Sequence, residues 1–141
     1  MNSTQARESL ECLIKAMGIW EGGLPERIKA AKRDQREEEE GGKVMSEYNG
    51  ILTRSCTERL RKDPESRRVH LHFRRPSPYD FIVIDTCEEA PSACIFHCHD
   101  QRTREYGERF RYHMEWMDGK WLLDKREYVP GDGTPTFMMS V

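Results

Sequence analysis

From Tyr106 to Tyr128 the chain reads YGERFRYHMEWMDGKWLLDKREY, two alternating runs on either side of Asp118-Gly119. Asp-Gly between alternating segments predicts an antiparallel hairpin with a two-residue loop, for which Gly119 is the structural residue. Such a loop sets Trp116 opposite Trp121, Met114 opposite Leu123 and Tyr112 opposite Lys125 on one face. The other face then pairs Glu115 with Leu122, His113 with Asp124 and Arg111 with Arg126. One face is apolar near the turn and the other is charged, which describes a half-buried sheet. The rest of the chain has to cover the apolar face, and Trp116 and Trp121 head the predicted core.

Upstream, apolar positions 6, 10, 13, 14 and 17 recur at helical spacing and predict a first helix over 6–17, capped by Ser3 or Thr4. Gly18 and Gly22-Gly23 predict its end, with Ile19 and Trp20 anchoring onto the core. Pro25 suits the start of a second helix, whose stripe of Leu24, Ile28 and Ala31 gives out at Lys32. Residues 32–40 have no apolar face and read as a solvated helix end or as an acidic partner-binding patch. Gly41-Gly42 predicts a break, so 32–45 is expected as an exposed extension or loop. A third helix is expected over 46–62, along Tyr48, Ile51, Leu52, Cys56 and Leu60.

Residues 67–75 alternate weakly, as an edge strand followed by a proline-rich turn. A firmer strand is predicted over 81–87, with Phe81, Val83, Asp85 and Cys87 on one face. The next, over 92–99, carries Cys94, Phe96 and Cys98 on one side and His97 and His99 on the other. Beyond Tyr128 comes a loop, then a short last strand or tail over 136–141. Helices followed by an antiparallel meander define the α+β class, here as a single domain over 1–141.

With 141 residues the chain is long enough for a real core, and its 36% hydrophobic residues supply one. Basic and acidic residues nearly balance at a net charge of −2, which argues against a nucleic-acid binder. No apolar run approaches the ~20 residues that span a bilayer, so no membrane partner is expected. The N-terminus lacks the basic start and apolar core of a secretory signal. Five cysteines without a CxxC pair read as free thiols, and with the missing signal they point to the cytoplasm.

Helices followed by a bent meander that ends in Asp118-Gly119-Lys120-Trp121 resemble the nuclear transport factor 2-like cone fold. Three stretches resemble its immunity-protein branch, which belongs to bacterial polymorphic toxin systems. These are ILTRSCTERLR at 51–61, Phe-Arg-Arg-Pro-x-x-Tyr-Asp at 73–80, and the 106–128 ribbon with its LLDKR. The resemblance implies N-terminal helices packed on a strongly curved antiparallel sheet. It also implies a protein without catalytic activity that binds and neutralises a cognate toxin encoded nearby. Tyr79 and Asp80 match as structural residues, Tyr79 across the mouth of the cone and Asp80 where the chain turns into Phe81. Sheets of this fold often pair through their outer faces, so a weak homodimer through Arg111, His113, Glu115 and Arg126 is expected.

Other members of the fold are isomerases, dehydratases or hydrolases that need an acid or base facing one cavity. His113 with Asp124 opposite is the candidate here, and the bland alternative is a cross-strand ion pair on the surface. Asp85 is the second candidate acid, a carboxylate expected among apolar neighbours and therefore paired or protonated. His70, His72, His97 and His99 could meet at a metal only if their strands were neighbours, so no metal and no cofactor is expected. Arg59, Arg61, Arg67, Arg68, Arg74 and Arg75 make 54–75 markedly cationic, the first choice for a partner-binding surface.

Overall fold

A computed structural model describes residues 3–62, 78–102, 108–129 and 137–138. Helix α1 (Ser3–Arg33) runs through Gly18, Gly22, Gly23 and Pro25, where the sequence predicts an end and a new start. Its buried positions, Ala6, Leu10, Leu13, Met17, Leu24 and Ala31, keep one helical stripe throughout. Burial of that stripe outweighs the propensity cost of the glycines, about 1 kcal/mol each relative to alanine. Ile19 does not anchor the core, being 69% exposed, whereas Trp20 packs on Tyr48 with ring centroids 5.1 Å apart.

The helix ends instead at Gln35, in the left-handed region at φ 58°. Arg36 N–H donates to Ala31 O at 2.8 Å and Gln35 N–H to Lys32 O at 3.3 Å, a six-to-one and five-to-two closure. Helix α2 (Glu37–Ser55) then passes straight through Gly41-Gly42. Glu37, Glu38, Glu39 and Glu40 fill its first turn, where carboxylates meet the positive end of the helix dipole. Arg27 ties the two helices together, donating to Glu40 at 2.6 Å and also to Glu47. The third predicted helix is thus the second half of α2, followed after Cys56 by the short α3 (Glu58–Lys62).

A 3-10 turn (Pro78–Phe81) leads into a meander of five antiparallel strands in sequential order. They are β1 (Ile82–Ala90), β2 (Ala93–Asp100), β3 (Arg109–Met117), β4 (Lys120–Val129) and β5 (Phe137–Met138). The sheet curls around the helices without closing. Cys94, Phe96, Cys98, Phe110, Tyr112, Met114, Trp121 and Leu123 form its buried side against α1 and α2. Asp118 and Gly119 both have positive φ, 51° and 81°, the turn expected from their sequence. The expected strand over 67–75 lies outside the described residues.

Two single-residue bulges correct the expected register. Trp116 faces Trp121 and Met114 faces Leu123 as predicted, but His113 then faces Lys125, Tyr112 faces Arg126 and Arg111 faces Glu127. Asp124 is the extra residue, and it carries Arg126 to the inner side of the sheet. In β1, Ile84 pairs with Cys98 and Thr86 with His97, so Asp85 is extra there. Cys87 consequently packs against the core while Asp85 lies outside it. Bulges of this kind add bend and twist to a strand, which suits a curled sheet.

Candidate partner-binding surface

The acid–base pair expected at His113 and Asp124 does not form. Asp124 points to α3, where Thr57 Oγ1 donates to its Oδ1 at 2.8 Å and Arg59 Nε at 3.2 Å. His113 Nε2 meets Glu127 instead, and Arg111 and Lys125 stand 3.7 and 3.6 Å from the same carboxylate. Asp85 is likewise not among apolar neighbours. It is exposed and contacts His99 Nδ1 at 2.7 Å. His97 stands 3.4 Å from Glu88 on the same outer face of the sheet. Among the described residues, no group of three or more histidine, cysteine or carboxylate side chains is placed to hold a metal ion. His70 and His72 lie outside those residues.

Inside the curl, Arg126 is 9% exposed, with its guanidinium carbon 4.7 Å from the Phe110 ring centre, 5.4 Å from Tyr112 and 5.9 Å from Tyr79. Guanidinium over aromatic faces is a favourable way to keep a cation in a poorly hydrated place. Burial pushes the phenols of Tyr79 and Tyr112 above their ordinary value and that of Tyr48 to about 12, so all three stay protonated at neutral pH. Arg126 therefore cannot serve on the outer face, as the expected homodimer surface had it. No sequence signal announces its burial, because that depends on the bulge at Asp124.

Tyr79 is partly buried against the core, and Asp80 beside it is exposed. The turn that carries both packs on α1 at Gly18, where an added Cβ would lie 2.9 Å from Asp80 Oδ1 and 3.5 Å from Tyr79 Cβ. Trp121 is buried and Trp116 half-buried, their rings edge to face with centroids 5.6 Å apart. Of the cationic stretch, Arg59 is exposed but committed to Asp124, and the Nε of Arg61 is buried. Arg67, Arg68, Arg74 and Arg75 lie outside the described residues. The described part of 54–75 is thus less available to a partner than its charge suggests. Among the described residues, no helix is long and apolar enough to cross a membrane.

No curated protein and no solved structure matches the chain. A family model does, over residues 5–134, which spans both long helices and strands β1 to β4. With that match, the helices first and the curled antiparallel meander after them, the chain belongs to the NTF2 fold immunity protein family.

Proposed function

We propose that this protein is a stoichiometric, non-catalytic inhibitor of a cognate bacterial toxin encoded by a neighbouring gene, acting in the cytoplasm of the cell that makes it. The observation that carries the reading is the family match over residues 5–134. The geometry is consistent with it. A cone-pocket enzyme built on His113 with Asp124 loses its support, since those side chains are engaged with Glu127 and with Thr57 and Arg59. Asp85 is tied to His99 on the outer face, away from the interior where such an enzyme would work. What remains is a scaffold with many charged side chains, the kind of surface that steers association with a complementary partner. The test is co-expression with the large adjacent open reading frame. Rescue of growth together with a 1:1 complex of submicromolar affinity supports the proposal. Turnover of a small molecule by the purified protein, with no rescue, refutes it.

A further inference from the structure

At the tip of the β3–β4 hairpin, the start of α1 and the end of α2 leave a groove lined by Glu8, Cys12, Arg54, Trp116, Lys120 and Trp121, among others. Among the described residues its charged lining is two cations against the single carboxylate of Glu8. Neither Arg54 nor Lys120 makes an ion pair among the described residues. On the outer sheet face His97, His99 and Arg111 each stand beside a carboxylate, while Arg109 there makes no ion pair among the described residues. Trp116 is half-buried in the groove wall, and the neighbouring Met117 is 40% exposed. Trp121 Nε1 is buried with no hydrogen-bond acceptor among the described residues, a donor left unused. A partly exposed tryptophan beside an arginine without an ion pair is the composition of an interface hot spot.

Resting on the immunity reading above, we infer that this groove receives an acidic segment of the toxin polypeptide. A carboxylate of that segment meets Arg54 and Lys120, and an adjacent apolar side chain packs on Trp116. Charge selects the segment: among the described lining residues only Glu8 opposes it, and an acidic chain gains two charge-assisted contacts there.

The experiment is calorimetric titration of the purified, catalytically inactivated toxin from the adjacent gene into three forms of the full chain. These are the wild type, Arg54→Glu with Lys120→Glu, and a control with Lys29→Glu and Lys32→Glu on the exposed side of α1. Both doubles change net charge equally, so a local contact separates from long-range attraction. The groove double is expected to weaken binding by about 30-fold or more, the scale of a hot spot, and the control by less than about threefold. Thermal melting checks the fold of each form, and Lys120→Gln, at a fully surface position, repeats the test should the double melt early. Equal affinities for the groove double and the control overturn this inference and leave the immunity reading standing. No binding by the wild type overturns both. A wild-type dimer that the groove double dissolves, with toxin affinity unchanged, makes the groove a self-contact and also overturns the inference.

Discussion

Thr57 donates its hydroxyl proton to Asp124 Oδ1 at 2.8 Å, joining positions 67 residues apart in the chain. Thr57 Oγ1 itself accepts from Leu60 N–H at 3.2 Å, which caps α3, and Thr57 N–H donates to Leu123 O at 2.9 Å. One threonine, 3% exposed, thus fastens the short helix to β4. Thr57→Val removes the cap and leaves Asp124 short of a donor, at a cost of about 1–2 kcal/mol. A urea midpoint equal to that of the wild type would show that the tie contributes nothing.

Trp121 and Trp116 touch each other but differ in burial, so their truncations should differ. Trp121→Ala opens a cavity in the core and is expected to cost about 3–5 kcal/mol, enough to unfold or nearly unfold a domain of ordinary stability. Trp116→Ala removes a half-exposed ring and should leave a folded protein with a lowered melting point. Circular dichroism on heating checks both, and equal effects would contradict the burial order.

The glycines of α1 are also separable. Nothing lies within 4 Å of a Cβ built at Gly22, whereas one at Gly18 meets Asp80 Oδ1 at 2.9 Å. Gly22→Ala should therefore stabilise the protein by about 0.5–1 kcal/mol through helix propensity. Gly18→Ala should gain less, because the Asp80 carboxylate must turn aside to admit the methyl group. Denaturant midpoints rank the two, and a larger gain at Gly18 would refute the close packing.

Burial pushes the thiols of Cys56 and Cys98 up to about 12 and that of Cys94 to about 11. An unfolded thiol titrates near ~8.5, so the folded state holds these protons more tightly. The sign follows from linkage: the stabilisation is complete below ~8.5 and is lost as pH rises toward the folded values. Unfolding midpoints are expected to fall between about pH 8.5 and pH 11. A flat profile there, or native-state reaction of Cys56 with a thiol reagent as fast as the exposed Cys12, would count against the burial.

The acid side has the opposite sign. The Arg102 guanidinium beside Asp100, at 2.7 Å, holds that carboxyl below its ordinary range. The stabilisation is present above the unfolded carboxylate value near ~3.9 and disappears as pH falls through the folded one. Asp100→Asn should flatten the acid limb of the stability profile, measured by urea unfolding from pH 5 downward. An unchanged limb would assign acid sensitivity to other carboxylates.

What the sequence made legible was local. Asp118-Gly119 announced its turn, and alternation near it placed Trp116, Trp121, Met114 and Leu123 on the core side, because side-chain period and loop length fix both. The extra residue at Asp124 left no mark, since a bulge needs neither glycine nor proline, and from there the expected faces were reversed. The same holds for Asp85. Gly18 and Gly22 read as breaks because propensity is all that a sequence window offers; burial along the whole of α1 overrode it. Gln35, the residue that does end α1, carries no such signature. Of the candidate surface, Lys120 and Trp116 were visible as hairpin residues. Their meeting with Arg54 depends on helix packing that no spacing encodes.

The two bulges also decide where the chain can change length. Strands β1 and β4 each carry one supernumerary position, at Asp85 and at Asp124. Taking out Asp124 leaves Lys125 facing His113 and Arg126 facing Tyr112, at the expense of the tie to Thr57. Taking out Arg126 instead puts Lys125 or Glu127 among Phe110 and Tyr112, with no guanidinium to replace it. Shortening of β4 is thus absorbed at Asp124 and not at Arg126, so a sheet that looks uniformly woven has slack at a defined place.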